Sequence, residues 1–332
     1  MSWIPSWTPS RAENGRRPSS TCPRRPEGVD PVEGRVGEGL PGRAERGLTL
    51  RQAYLWGREH LAASGIQECG LEAEVLLRHA LGLDRAQLYA RWHSPLPAEA
   101  WQRYTDLLER RAARRPLAYV VGEREFFGLR LVVDERVLIP RPETERLVEV
   151  VLELTRDVPE PVYVDVGTGS GAVAVALAVQ RPEATVYATD LSSAALAVAE
   201  ENARRHRVHH RLHLVEGDAL VPLLRLGVRA HAVASNPPYV PPSARAELPP
   251  EVLAEPELAV FAPGPRGVEL HERIADQART VLLPGGWIAF EVAAKWEQAA
   301  SVAALLSALG YGEPQVVRDW SGLERAVVAR WP

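Results

Sequence analysis

Val162-Tyr163-Val164-Asp165-Val166-Gly167-Thr168-Gly169-Ser170-Gly171 is a short apolar run that breaks into three glycines, one at every second position. Near-continuous apolar composition over five residues suits a strand covered on both faces, as strands of parallel sheets are. The glycines let the backbone turn tightly and approach a ligand where a side chain would clash. Ala172-Val173-Ala174-Val175-Ala176-Leu177 follows at once as an apolar helix, whose free N–H groups point back into the same space. Strand, glycine turn and helix in this order predict an α/β sheet with an adenosine-type ligand at the turn. Asp190, at the end of the next expected strand, would accept hydrogen bonds from ribose hydroxyls. The loop does not choose among cofactors, because Gly167, Gly169 and Ala172 also satisfy the dinucleotide pattern G-x-G-x-x-A.

The same alternation continues outward. Strands are expected near 162–166, 185–190, 211–215, 231–235 and 287–292, with short runs at 314–318 and 325–330. Helical segments separate them at about 170–180, 193–206, 267–282 and 296–309. Such alternation implies a mostly parallel sheet with helices on both faces, its ligands at the carboxyl ends of the strands. Glu216-Gly217-Asp218-Ala219 follows the third of these strands, where Asp218 would be placed to bond an adenine amino group.

Upstream the pattern changes. Residues 48–116 predict a small all-α domain of four helices. Thr49 serves as an N-cap, Gly65 as a stop, Asp84 stands before a short third helix, and Pro97 opens a long helix that Pro116 ends. The arginines at 110, 111, 114 and 115 read as favourable charge at that helix's C-terminus. Residues 117–139 form a β-hairpin linker turning near Gly128, and Pro142 fits the first position of a new helix. The methyl-transfer and ligand motifs below all fall within 140–332. Residues 1–47 hold seven prolines and seven glycines without apolar periodicity and are expected to be an unstructured extension.

Composition removes several classes of function. The net charge is −4, and the first 47 residues carry eight arginines against six acids, so the remainder is about −6. An acidic body does not displace phosphate counterions, and no direct nucleic-acid binding is expected. No stretch approaches the roughly 20 apolar residues of a membrane span, and no secretory core is legible at the N-terminus. A cytoplasmic monomer is expected. His206, His209, His210 and His213 lack a carboxylate or thiol at ligand spacing and read as a solvated loop rather than a metal site.

The chemistry is carried by Ser235-Asn236-Pro237-Pro238-Tyr239, after the fourth strand. Consecutive prolines stiffen the turn, with φ fixed near −65°. A rigid turn can aim the Asn236 side-chain oxygen and the Pro237 carbonyl at the two hydrogens of one NH₂ group. Tyr239 supplies a flat wall for a planar amide or base. An amide or exocyclic amine is a poor nucleophile because its lone pair is delocalised. Acceptors on both hydrogens favour charge building on nitrogen as a methyl sulfonium approaches, and no catalytic histidine or metal is required.

Taken together these motifs resemble the protein-(glutamine N5) methyltransferases of peptide chain release factors, over about residues 49 to 330. The resemblance rests on Tyr119-Val120-Val121-Gly122, Phe126-Phe127-Gly128-Leu129, Val137-Leu138-Ile139-Pro140-Arg141-Pro142-Glu143-Thr144-Glu145, Asp165 to Gly171, Thr189-Asp190-Leu191-Ser192 and Asn236-Pro237-Pro238-Tyr239-Val240. The run from Leu138 to Glu145 is its most specific part. It implies a seven-stranded Rossmann-like methyltransferase sheet behind a small helical substrate-recognition domain. The implied methyl donor is S-adenosyl-L-methionine, and the implied acceptor is the glutamine of the release factors' Gly-Gly-Gln motif. By the same resemblance Gly167, Thr168, Gly169, Ser170, Gly171, Asp190, Asp218 and Ala219 bind the cofactor. Asn236, Pro237, Pro238 and Tyr239 bind the glutamine, with Asn236 also beside the donor. Two departures stand out: Ala219 occupies a position that is often aromatic in the family, and Glu291-Val292-Ala293 replaces a Glu-x-Gly pattern.

Two other enzymes share parts of this reading. An adenine-N6 nucleic-acid methyltransferase uses the same Asn-Pro-Pro-Tyr logic on a flipped base, and would carry a basic groove or target-recognition domain. A nicotinamide-dependent dehydrogenase would share the glycine loop but leave the Asn-Pro-Pro-Tyr turn without a task. A non-catalytic release-factor-binding protein would show a defective pocket.

Overall fold

The computed structural model describes residues 47–332. The expected unstructured extension lies outside the described residues but for its last position, Gly47. The chain divides into two compact units, parting between Ala113 and Arg114.

The first unit contains helices α1 (Leu50–Ala63), α2 (Cys69–Leu81), α3 (Arg85–Ala90) and α4 (Ala98–Ala112). Thr49 starts α1 through a capping box: the Gln52 amide donates to the threonine Oγ1 at 3.3 Å, and the Gln52 side chain accepts the Thr49 amide at 2.9 Å. Asp84 and Gln87 repeat the device ahead of α3. Helix α1 stops where Gly65 takes φ +76, and α2 stops at the left-handed Gly82. The core centres on Tyr104 of α4, which is fully buried and donates its hydroxyl to the Ala73 carbonyl at 3.2 Å. That ring lies against Gly57 of α1, where an added Cβ would sit 2.0 Å from the tyrosine oxygen. The arginine cluster divides. Arg111 is buried and paired with Glu72 inside this unit, so it is a core ion pair rather than a surface charge at a helix end.

The second unit opens with α5 (Leu117–Val121) and the antiparallel hairpin β1 (Glu123–Phe126) and β2 (Leu129–Val132). The hairpin turns on Phe127 and Gly128, both left-handed at φ +51 and +73, as a two-residue turn demands. A 3₁₀ turn at Pro142–Thr144 then runs into α6 (Glu145–Leu154). Here Arg115 pairs with Glu135 and Arg114 with Glu251.

The seven-stranded sheet expected from the resemblance is present: β3 (Val162–Val166), β4 (Thr185–Asp190), β5 (Leu212–Glu216), β6 (Ala230–Ser235), β7 (Leu282–Glu291), β8 (Gln315–Arg318) and β9 (Glu324–Arg330). Their order is β5-β4-β3-β6-β7-β9-β8, parallel up to β7 and antiparallel beyond it. Helices α7 (Ala172–Gln180), α8 (Ser193–Arg205), α9 (Val221–Arg225), α10 (Pro250–Leu253), α11 (Glu257–Val260), α12 (Glu269–Val281) and α13 (Gln298–Ala308) complete the unit. One buried cluster joins α6 and α7 to the sheet, and another joins α12 and α13. Strand β7 begins earlier than its apolar run, because Gly285 and Gly286 carry it through a register shift opposite Ala230 and Ala232.

The order of β4, β3 and β6 places the site. The chain leaves β3 toward β4 on one side and later returns to pair β6 on the other, which makes a switch point. Val166 is in register with Thr189 and with Ser235. Gly167, Asp190 and Asn236 are therefore each the next residue at the same end of three adjacent strands. Ser235 is in turn paired with Phe290, which brings Glu291 beside Asn236.

Candidate active site

The glycine turn is held from behind. Gly167 and Thr168 donate their amides to the Thr189 carbonyl at 2.8 and 3.0 Å, and the three glycines take φ of +71, +54 and +78. Beneath the loop Asp165 is buried and accepts from the Thr168 hydroxyl at 2.6 Å and the Ala174 amide at 3.2 Å. Burial pushes its carboxyl up to about 6. Asp190 accepts the Gly169 amide at 2.8 Å on one oxygen and the Ser192 amide at 2.9 Å on the other. Burial raises its pKa above the usual carboxylate value. Each oxygen keeps a second acceptor direction for a ligand.

These groups open on a cavity of about 450 Å³, within the range of small-molecule sites. Of the five loop residues, Gly167 and Gly169 line it, while Thr168, Ser170 and Gly171 stand behind and shape the turn. The Ser170 carbonyl accepts from Asn202, and a Cβ on Gly171 would press to 3.1 Å from that of Ala199. Asp218 and Ala219 also line the cavity. Asp218 is exposed and pairs with Arg273 at 2.9 Å, and Ala219 is buried at a left-handed φ of +49.

Asn236 and Pro238 reach the same cavity, and Pro237 and Tyr239 lie outside its lining. The Asn236 Nδ2 donates to the Thr144 Oγ1 at 3.2 Å, which turns its oxygen away from Thr144 and leaves it free to accept. Thr144 belongs to the run from Leu138 to Glu145, so that run has a concrete task at the acceptor loop. Tyr239 is largely buried and donates its hydroxyl to Glu291 at 3.3 Å. Burial drives its phenol far above its ordinary pKa, so it remains a donor. Its carbonyl is approached by the Gln298 amide at 3.4 Å. Gln298 also bonds the Gly267 carbonyl at 2.8 Å and accepts the Ala293 amide at 2.7 Å. The departure from Glu-x-Gly is absorbed here, because Ala293 takes no left-handed φ and its amide is satisfied.

Thr144, Glu291 and Gln298 were not among the expected site residues, nor were Arg136 to Leu138, Pro256 to Ala259 and Phe261, which form further parts of the cavity wall. Glu255 ties those two wall segments together. It is buried and accepts the Ile139 amide at 3.1 Å and the Arg141 guanidinium at 2.5 Å. The histidines of 206–213 stand away from this site. His206 bonds the Arg130 carbonyl, His209 and His210 meet edge to face, and His213 packs on Tyr187.

Comparison with known proteins settles the kinship. A family profile described as the PrmC N-terminal domain matches residues 52–122, and one described as the methyltransferase small domain matches 144–254. The release factor glutamine methyltransferase of Moorella thermoacetica is 42% identical over 283 residues, 85% of this chain and 98% of that protein. This chain belongs to the release factor glutamine methyltransferase family. A second member, from Cereibacter sphaeroides, is 44% identical over 275 residues, covering 82% of this chain and 95% of its own length. The solved catalytic domain of hMettl16, in complex with the MAT2A 3′UTR hairpin 6, shares the fold at a TM-score of 0.52 and 18% identity, over 68% of this chain and 82% of that one.

A member of the release factor glutamine methyltransferase family is an S-adenosylmethionine-dependent methyltransferase. The residues present fit that cofactor. A Cβ added at Gly167 or Gly169 meets no atom within 4 Å, so the loop offers open space rather than packed protein. The buried Thr189 hydroxyl on the cavity wall has no hydrogen-bond partner, and the exposed Leu191 beside Asp190 offers an apolar surface to a base. Among the described residues no helix is long and apolar enough to cross a membrane.

Proposed function

We propose that this chain transfers the methyl group of S-adenosylmethionine to the side-chain amide nitrogen of the glutamine in the Gly-Gly-Gln motif of release factors. The observation that supports it best is the Asn236 amide, whose nitrogen is held by Thr144 while its oxygen remains free at the switch point, one strand from Gly167. In this reading the Asn236 oxygen and the Pro237 carbonyl accept the two amide hydrogens, Pro238 stiffens the turn, and Tyr239 walls the planar group. Gly167 to Gly171 and Asp190 hold the donor, with Asp218 and Ala219 at its adenine end. The nitrogen–carbon bond forms as the carbon–sulfur bond breaks, and the amide nitrogen releases one proton. Carbonyl oxygens held in place by a preorganised turn would stabilise the charge that develops on nitrogen. An adenine amine would meet the same two acceptors, but the acidic charge from residue 48 onward and the family membership favour the protein substrate.

By extension we assign residues 48–116 to recognition of the release factor, 117–139 to a hairpin linker and 140–332 to catalysis, in a cytoplasmic monomer that does not bind nucleic acid. The test is methyl incorporation from labelled cofactor into a purified release factor. Incorporation is expected into the native factor and not into one whose motif glutamine is replaced by glutamate. Equal incorporation into both contradicts the assignment.

A further inference from the structure

The geometry points to Glu291 as the positioning carboxylate of the acceptor loop, holding Tyr239 directly and Asn236 through Thr144. This inference rests on the methyl-transfer reading above. The register of β6 and β7 sets Glu291 beside Asn236, and its carboxyl is buried against the back of the loop rather than on the cavity wall. One oxygen accepts the Tyr239 hydroxyl at 3.3 Å, and the other is buried without a hydrogen-bond partner. Thr144, whose oxygen receives the Asn236 amide at 3.2 Å, faces the same carboxyl with its hydroxyl.

A buried carboxyl with an unmet oxygen and no ion pair among the described residues is costly to keep. The groups packed around it do not neutralise it. Glu143 adds like charge. Arg325 from β9 is engaged by Asp319 at 2.7 Å and lies 3.7 Å from Glu143. His271 of α12 bonds the Glu291 carbonyl, and its own burial lowers it to about 4, so it is neutral above pH 5. Arg141 acts on the Tyr239 side and is held by Glu255.

The ionised carboxyl does two things for the reaction. It accepts the Tyr239 hydroxyl, which fixes the tyrosine ring, and offers its unmet oxygen to the nearby Thr144 hydroxyl, which would steady the asparagine amide. It also places negative charge behind the loop that receives a nitrogen gaining positive charge. Burial pushes Glu291 up to about 7, so both protonation states are present near neutral pH. The sign follows: turnover rises with pH through about 7 as the anion forms. Asp165, raised to about 6, lies under the cofactor loop and would alter the cofactor KM rather than kcat.

The experiment measures kcat of the full chain at saturating cofactor and release factor from pH 5.5 to 8.5, for wild type, Glu291→Gln and Thr144→Val. Wild-type kcat should fall about tenfold in total as pH drops through the inflection, levelling off at a lower plateau. Glu291→Gln should show a flat profile, with kcat at pH 8 lowered about tenfold and cofactor Kd unchanged. Thr144→Val should lower kcat and likewise spare cofactor Kd. A flat wild-type profile overturns the inference without needing any variant, and so does an inflection that persists in Glu291→Gln. A wild-type chain inactive on release factors at every pH would overturn the functional reading together with it.

Discussion

Asn236 is where the chemistry concentrates, and it works because one half of its amide is already committed to Thr144. Asn236→Ala removes the free acceptor, and turnover should fall about 10²- to 10³-fold while cofactor Kd stays within error; steady-state kinetics beside calorimetric binding checks both. Gly267 is a quieter dependence. At its φ of +76 an added Cβ would lie 2.7 Å from the Tyr239 carbonyl, so Gly267→Ala should displace the acceptor loop and lower kcat, again without weakening cofactor binding. The asparagine was legible in the sequence because it sits in a short turn with its own prolines. Thr144, Glu291 and Gln298 were not, since each meets the loop across 52 to 92 residues of chain. Only the pairing of β6 with β7 brings Glu291 alongside, and local spacing carries no record of register.

At the scale of elements, glycine turns and helix starts were read from chemistry that acts within a few residues. The capping box at Thr49, the stop at Gly65 and the turn at Phe127-Gly128 are of this kind. The segment between β6 and α12 was not legible. It folds as a 3₁₀ turn and the two four-residue helices α10 and α11, too short to display a period, and yet it supplies one wall of the cavity. The cofactor turn at β3 predicts that S-adenosylmethionine or its demethylated product stabilises the chain by about 2.7 kcal/mol at a hundredfold excess over Kd, and that NAD does not. A thermal shift series decides it, and equal stabilisation by NAD would count against the loop assignment. In the helical unit, Gly57→Ala drives a methyl into the Tyr104 hydroxyl and should cost about 1–3 kcal/mol in denaturant unfolding, with the sheet unit's cofactor affinity unaffected.

For the whole molecule, three buried groups set opposing pH responses. Glu291 and Asp165 have folded pKa values near 7 and 6, above their ordinary 4.5 and 3.8, so the stability they contribute is full at low pH and lost as pH rises through 6 to 7. His271 is lowered from 6.5 to about 4, so its contribution is present above 6.5 and lost as pH falls toward 4. Glu291→Gln should therefore gain thermal stability relative to wild type as pH rises from 5 to 8; a pH-independent difference would show that the carboxyl does not titrate with folding. Fold and chemistry meet at the switch point of one sheet, where Gly167, Asp190 and Asn236 end adjacent strands. Peptide mass spectrometry of a release factor incubated with this chain and S-adenosylmethionine tests the result of that arrangement most directly. One added methyl on the glutamine of the Gly-Gly-Gln peptide is predicted. An unmodified glutamine peptide, or a methyl recovered on DNA adenine instead, would contradict it.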